Sequence, residues 1–138
     1  MLLAMRNHLS LRLQNINPDI LMDSILPWVY GERFLSDSSK IDAFKKDSLE
    51  DPYPQSAQDQ LRQISILENF DGRDDLKKIK APTLVMYGKE DLISLPSDSE
   101  FLARHIPQVE IKAFDGGHGI LFEDTEKLAE SIIDFFLN

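Results

Sequence analysis

Two side chains that can hold or transfer a proton, Asp91 and His118, stand in short polar loops of this 138-residue chain. Histidine changes its charge near neutral pH, and an ionised aspartate accepts hydrogen bonds. The two residues could therefore support acid–base chemistry if the fold brings them together. The other histidines, His8 and His105, fall on predicted helices, where we expect surface or half-buried positions.

Several other chemistries lack the residues that they need. The chain has no cysteine, which excludes disulfides and thiolate nucleophiles and favours a cytoplasmic location. The three histidines are scattered without a His-x-x-x-His spacing, so we expect no metal site. Gly116 and Gly117 precede a histidine and are followed by no lysine, unlike the glycines of a phosphate-binding loop. We therefore expect neither a metal nor a cofactor.

The loops that carry Asp91 and His118 each follow a predicted strand. Residues 83–87 are an apolar run after Pro82 without polar alternation, which is typical of a strand buried on both faces of a parallel sheet. Residues 109–114 alternate apolar and charged side chains, which predicts a second strand nearer the sheet edge.

A predicted helix follows each strand. Ser97 and Glu100 have the spacing of a capping box at the start of the first helix. The second helix begins near residue 124. Its predicted inward face consists of Leu128, Ala129, Ile132, Phe135 and Phe136. This order is a βαβα unit with two parallel strands, whose carboxyl ends share one rim of the sheet. We therefore expect Asp91 and His118 to lie close together on that rim.

Residues 1–75 are predicted to be helices joined by polar loops. Asn17 is a predicted N-cap, with Pro18 in the first helical position that follows it. Pro27 is expected to end or kink that helix, because proline lacks the backbone donor of a helix interior. Further predicted elements are a first helix that ends near Asn15, a helix at 40–49 and a helix capped by Ser56.

A spaced series of residues runs through the C-terminal part of the chain. It consists of Leu76-x-x-Ile79-x-x-Pro82-Thr83-Leu84-Val85-x-x-Gly88-x-x-Asp91, Pro96, Ile106-Pro107, Gly116-Gly117-His118 and Ile133-x-x-Phe136-Leu137. In this order the series resembles the closing segment of the α/β-hydrolase superfamily. The resemblance covers residues 76–138, a little under half of the chain.

The helical residues ahead of this segment resemble the cap that α/β-hydrolases insert before their last two βα units. The Leu-Pro-Trp segment at 26–28 most resembles the branch of small esterases and enol-lactonases. The resemblance implies an α/β fold class, with a cap-like segment at 1–75 and the βαβα end of a hydrolase core at 76–138. It also implies hydrolysis of an ester, a thioester or a lactone.

The resemblance implies roles for Asp91 and His118 in a catalytic triad. Asp91 would accept a hydrogen bond from the Nδ1–H of His118 and fix its tautomer, and His118 would take the proton of a nucleophile. Considered without the family, the residues allow other interpretations. Asp91 could be a turn residue or a helix cap, Glu90 could be the acid in its place, and His118 could be an ordinary turn histidine.

The nucleophile of such a triad is not found among the 138 residues. None of the six glycines brackets a serine as G-x-S-x-G, and the oxyanion hole of the family depends on that same region. We therefore expect a C-terminal fragment of a serine α/β-hydrolase that supplies the acid and the histidine and is inactive alone. The alternative is a non-catalytic binding or dimerisation module derived from this fold.

The charge of the chain excludes some partners. The net charge is −9, with 11 basic and 13 acidic residues in 1–80 and 4 basic and 11 acidic residues in 81–138. Such a chain repels a phosphate backbone, so we expect no nucleic acid and no membrane as partner. We expect a small-molecule ester or acyl substrate for the complete enzyme. Because the strand at 83–87 would have an unpaired edge, we also expect a homo-oligomer formed through that edge or through swapped helices.

Two further features have two interpretations each. Glu123 either pins the start of the last helix or is a solvated carboxylate near a helix terminus. Trp28, Tyr30 and Phe34 either line an acyl pocket or pack within the cap.

Overall fold

The computed structural model describes residues 1–137. Five helices come first, then a 3₁₀ turn at Arg73–Lys78, and then a series of two strands and three helices. The elements are α1 (Leu2–Leu13), α2 (Pro18–Val29), α3 (Glu32–Leu35), α4 (Ser38–Leu49), α5 (Ala57–Asn69), β1 (Thr83–Gly88), α6 (Pro96–His105), β2 (Val109–Phe114), α7 (Ile120–Glu123) and α8 (Thr125–Leu137).

The helix starts in the first half of the chain follow the local sequence. The Asn17 side chain accepts a hydrogen bond from the Asp19 N–H at 2.8 Å, and Pro18 occupies the first position of α2. Ser56 accepts from the Asp59 N–H at 3.0 Å at the start of α5. Both predicted caps are confirmed, and each satisfies a backbone donor that the helix itself leaves unpaired.

Helices α2, α3 and α4 share an aromatic core. Leu26, Tyr30 and Phe34 are buried, and the Tyr30 and Phe34 rings stack with their centroids 3.8 Å apart. Phe44 of α4 meets the Tyr30 ring edge-on at 5.2 Å. Aromatic pairs of this kind add about 0.5–1.5 kcal/mol beyond the burial of their area. This core fixes the point at which the chain leaves α2.

Helices α1 and α5 pack against each other. Ala4 of α1 and Ile64 of α5 are buried. A polar contact accompanies them, since the Arg12 guanidinium donates to Gln60 Oε1 at 2.8 Å. Gln60 is itself buried, and its side-chain amide also donates to the Met5 carbonyl at 3.3 Å. The amide is thus paired on both its donor and its acceptor side, as burial requires.

Strands β1 and β2 form a parallel sheet of two strands, as predicted. Their register pairs Thr83 with Val109 and Gly88 with Phe114. Helix α6 connects the strands and packs against both. Because both strands run in the same direction, the loops after Gly88 and Phe114 leave the sheet at the same rim. This confirms the predicted α/β arrangement of a helical part and a small parallel sheet.

One local prediction about a helix cap is wrong, and one about a proline is only partly tested. Helix α6 has no side-chain cap, because it begins at Pro96 with Leu95 as its N-cap and Ser97 already inside the first turn. The fixed φ of proline suits the first helical position and outweighs the capping box. Pro27 was expected to end or kink α2; the helix continues to Val29 and so does not end at the proline, and a kink there stays a prediction. The proline lies within the last turn of the helix, so little of the helix follows the missing donor.

The exposure of apolar side chains also differs from the prediction. Only Val85 of the run at 83–87 is buried, because α6 alone among the helices of residues 1–137 packs extensively against β1. Leu128 of α8 is buried as predicted, whereas Ala129 and Phe136 are exposed. The described residues provide no further layer over that side of α8, so its apolar stripe is covered only in part.

The cap-like helices and the βαβα unit follow each other as predicted, and a boundary at residue 75 stays a prediction. None of the helices α1–α5 packs extensively against β1 within residues 1–137. The second edge of β1 therefore has no strand partner in this part of the chain. No helix among the described residues is both long enough and apolar enough to span a bilayer.

Candidate functional site

Asp91 stands in the turn that follows β1. Its backbone N–H donates to the Gly88 carbonyl at 3.2 Å, and its side chain is buried. Carboxylate Oδ1 accepts from the Ile93 N–H at 2.8 Å and from the Ser94 N–H at 2.9 Å. Both of these bonds go to Oδ1, so the second carboxylate oxygen, Oδ2, can accept a hydrogen bond from another residue. Asp91 is therefore a turn residue, as one interpretation held, and its second oxygen is held ready for a further contact.

That further contact is His118. Its ring nitrogen Nδ1 lies 2.9 Å from Asp91 Oδ2. An ionised carboxylate can only accept, so the proton of this hydrogen bond belongs to Nδ1, and Nε2 is the nitrogen open to another group. The His118 side chain is 44% exposed, whereas that of Asp91 is 6% exposed. The predicted proximity of the two residues is confirmed, and their catalytic role stays a prediction.

Glu90, the alternative acid, points elsewhere. Its Oε2 accepts a hydrogen bond from the Glu32 N–H at 2.8 Å, at the start of α3. The carboxylate thereby lies near the N-terminus of a helix, where negative charge is favourable. Asp91 and not Glu90 is therefore the carboxylate that the structure brings to His118.

Two glycines let three backbone segments meet beside His118. A Cβ atom at Gly88 would collide with the carbonyl oxygens of Gly116 and Gly117. A Cβ atom at Gly117 would lie 2.6 Å from the Val29 carbonyl oxygen and 2.7 Å from the Tyr30 carbonyl carbon. The end of β1, the turn before His118 and the end of α2 are therefore stacked closer than any side chain would allow.

Glu123 is buried at this junction, with 8% of its surface exposed. Its Oε1 accepts from the Gly117 N–H at 2.7 Å, and its carboxylate accepts from the Gly31 N–H at 3.2 Å to Oε2. A buried carboxylate requires such partners. The interpretation of Glu123 as a solvated carboxylate is wrong. Sequence reasoning missed the Gly31 contact, for which a glycine between two helices was the one available signal.

The Glu123 charge also acts on Tyr30. Burial of the phenol, and secondarily the nearby Glu123 carboxylate, raises the pKa of Tyr30 to about 12. Both causes disfavour the phenolate, because a buried charge loses its hydration and two negative charges repel. Tyr30 therefore stays neutral well above the pH at which a free tyrosine ionises.

An exposed ion pair closes the outer side of the rim. Lys89 Nζ lies 2.6 Å from Asp115 Oδ1, so that the residues following β1 and β2 are bridged. The hydrogen bond from Lys89 lowers the pKa of the Asp115 carboxyl and, reciprocally, raises the pKa of Lys89. Both side chains are mostly exposed, and exposed pairs contribute little to stability.

The aromatic residues of the cap serve packing first. Tyr30 and Phe34 belong to the buried core, while Trp28 is half-buried beside α1. Tyr30 and Phe34 also form one wall of an open cleft of about 650 Å³, which Phe44 and Phe122 line as well. The packing interpretation is supported, and a role of this cleft in acyl binding stays a prediction.

The remaining candidates are peripheral. His105 is exposed, with Nδ1 2.8 Å from the Phe101 carbonyl oxygen of its own helix. His8 is half-buried on α1, and burial together with the Arg12 charge lowers its pKa. Within residues 1–137, no three His, Asp or Glu side chains converge as metal ligands would. The site is therefore defined by Asp91, His118 and Glu123.

A carboxylate-oriented histidine at the carboxyl ends of parallel strands, beside a helical cap, is the arrangement of the α/β-hydrolase class. No family model matches the chain. The AB hydrolase superfamily protein YisY of Bacillus subtilis is 37% identical over 70 residues, which are 50% of this chain and 26% of that protein.

Solved structures extend the similarity over almost the whole chain. An esterase from Thermogutta terrifontis, solved with malate bound, is 26% identical and matches 96% of this chain and 49% of its own, with a TM-score of 0.76. The enol-lactonase from Burkholderia xenovorans LB400 is 21% identical and matches 86% and 45%, with a TM-score of 0.74.

The chain thus spans about half the length of the solved relatives that it matches. It has the α/β-hydrolase fold over the part that it spans. The resemblance that the sequence indicated is confirmed.

Proposed function

We propose that this chain provides the acid, Asp91, and the base, His118, of a serine hydrolase site for esters, thioesters or lactones. The observation that carries the proposal is the 2.9 Å contact between Asp91 Oδ2 and His118 Nδ1 at the rim of the parallel strands. The names of the solved relatives, an esterase and an enol-lactonase, support the substrate class.

In this proposal Asp91 acts through the ring. It holds the tautomer with the proton on Nδ1 and stabilises the charged imidazolium that forms during catalysis. Nε2 of His118 then takes the proton of a nucleophilic hydroxyl as it attacks the carbonyl carbon, and returns it to the leaving alcohol, thiol or hydroxyl. Water attacks the acyl-enzyme in the second half of the cycle, and Nε2 serves the same role again.

The nucleophile and the oxyanion donors of this reaction lie outside the 138 residues, since the sequence has no G-x-S-x-G segment. The pair by itself has no hydroxyl to activate and no donors for the developing oxyanion. We therefore expect the purified chain to hydrolyse short p-nitrophenyl esters no faster than its His118→Ala variant. A histidine-dependent rate, or labelling by a fluorophosphonate, would contradict this expectation.

A chimera tests the acid–base role directly. The part of the Thermogutta esterase that this chain matches, 49% of that protein, would be replaced by this chain. We expect ester hydrolysis that falls by about 10³-fold or more on His118→Ala, in line with the loss of a triad member. His105→Ala is the matched control, because that ring is exposed and bonded within its own helix. A folded chimera in which both variants behave alike would overturn the proposal.

A second candidate function is a non-catalytic module that binds a further copy of itself. The observation that favours it is β1, which has one strand partner within residues 1–137 and therefore an unpaired edge. Two copies could join these edges across a two-fold axis, or exchange α8 or cap helices. Sedimentation at micromolar concentration is expected to show a dimer or larger species, and a monomer throughout would remove this candidate.

A further inference from the structure

We propose that Glu123 is a positioning residue that couples the cap to the orientation of His118, through the turn at residues 29–31. This inference deepens the proposed function and rests on His118 as its base. The contacts between the turn at residues 29–31 and the residues on either side of His118 are nonetheless a property of the 138-residue chain, and their effect on the ring can be measured without catalysis.

The first support is the pair of segments that the Glu123 carboxylate joins. It accepts from Gly117, the residue before His118, and from Gly31, the residue that follows α2 and Tyr30. The two donors are far apart in sequence, and the carboxylate between them is buried. Removing the carboxylate leaves both amides without their acceptor in a buried place, which costs more than the loss of an exposed bond.

The second support is that the residue after His118 is tied to the same cap turn. The Gly119 N–H donates to the Val29 carbonyl at 2.7 Å. Arg33, at the start of the next cap helix, donates through Nη2 to the Glu123 backbone carbonyl at 2.8 Å. His118 therefore lies between Gly117, whose N–H is bound by Glu123, and Gly119, whose N–H is bound by the Val29 carbonyl of the cap turn.

The third support is the space available to the turn. Gly117 has the Val29 carbonyl oxygen and the Tyr30 carbonyl carbon within a distance that would exclude a Cβ atom. A turn confined in this way presents the His118 ring in one direction. The backbone amides of its own loop already fix the Asp91 carboxylate. The hydrogen bond between Asp91 and His118 therefore depends on how the turn orients the His118 ring.

The experiment compares Glu123→Ala and Glu123→Gln with the wild-type chain, with Glu130→Gln as the matched control on an exposed position of α8. Three properties are measured by NMR and circular dichroism: the fold, the hydrogen exchange of the Gly31 and Gly117 amides, and the ¹⁵N signals of the His118 ring. The ring signals report which nitrogen carries the proton, and a residue that only stabilises the fold would not move them.

For Glu123→Ala we expect exchange at Gly31 and Gly117 to be about tenfold faster, as for the loss of one hydrogen bond. The His118 ring should also lose its preference for the proton on Nδ1. In Glu123→Gln, Oε1 can still accept from Gly117 and, more weakly at 3.3 Å, from Gly31, while the amide group that replaces Oε2 meets the Gly31 N–H as a second donor. We therefore expect the loss of protection at Gly31 to exceed that at Gly117, with an intermediate change in the ring.

Unchanged ring signals in a folded Glu123→Ala variant would overturn the proposal, whether or not the amides exchange faster. If that variant does not fold, Glu123→Gln decides: wild-type ring signals with Gly31 unprotected would overturn it equally. The two proposals can fail separately. If a folded chimera is inactive but the ring signals still depend on Glu123, the proposed function is contradicted and the coupling between Glu123 and His118 is supported.

Discussion

The helices up to Asn69 bury an aromatic core, whereas the residues from Thr83 onward bury carboxylates. In the cap-like helices, Tyr30 and Phe34 stack face to face and are buried together with Leu26. In the βαβα unit, Asp91 and Glu123 are buried with their oxygens paired to backbone amides and to the histidine. In the first region, burial of apolar area stabilises the fold. In the second region, polar contacts fix the orientation of side chains and backbone around His118.

This difference predicts where substitutions act. A change at Phe34, which lies in the aromatic core but outside the turn at residues 29–31, should mainly lower the free energy of unfolding. A change among the buried carboxylates should alter the geometry around His118 at a smaller cost in stability.

The largest effect is expected from Phe34→Ala. Truncation of a buried aromatic ring removes its burial and leaves a cavity against Tyr30, so the free energy of unfolding should fall by about 3 kcal/mol. Phe136→Ala is the matched control, because that ring is 79% exposed, and its effect should be within about 0.5 kcal/mol. Urea unfolding measures both, and equal losses would break the contrast between the two regions.

A smaller effect is expected at alkaline pH. The pKa of Tyr30 is about 12 in the folded chain and close to 10 in the unfolded chain. Between these values the folded state binds the additional proton, so stability should decline as the pH rises from 10 towards 12. Two pH units correspond to at most about 2–3 kcal/mol.

Tyr30→Phe removes this titration. Its unfolding free energy should therefore fall less steeply than that of the wild type over the same range of pH. Tyr53→Phe is the control, since Tyr53 is 89% exposed. Parallel curves for Tyr30→Phe and the wild type would mean that the phenol is not sensitive to Glu123 and burial in the way described.

The smallest effect on stability is expected from Asp91→Asn. The amide oxygen can keep the hydrogen bonds from Ile93 and Ser94, so the loss should be about 1 kcal/mol. The amide group would face His118 Nδ1 as a donor and favour the opposite tautomer of the ring. The ¹⁵N signals of the ring measure this change. A large loss of stability, or an unchanged tautomer, would show that Asp91 mainly stabilises the fold and does not determine the tautomer of the His118 ring.

Long, strongly patterned elements were predictable from sequence, and contacts between distant backbones were not. Asn17 with Pro18 and the strand at 109–114 could be placed, because caps and alternation are local signals. The position of Asp91 relative to His118 followed from the order of strands and loops alone. The choice between Pro96 and Ser97 as the helix start depended on two competing local rules and was wrong.

The buried state of Glu123 had no local signal. Its acceptor role depends on Gly31, which lies 92 positions earlier in the chain, and on a close backbone approach that a glycine at position 117 permits. Exposure at Phe136 was likewise not readable from periodicity, because a helical stripe shows which side is apolar but not what covers it.

The contact between Gly31 and Glu123 also has a kinetic meaning. The two residues are separated by 92 positions, so their hydrogen bond cannot form until the chain has closed a loop of nearly that length. Helices and the β1–α6–β2 unit depend on shorter-range contacts and should appear earlier during folding. In a refolding time course, secondary structure should therefore recover first, and the His118 ring should acquire its direction only after the segments around Gly31 and Glu123 have met.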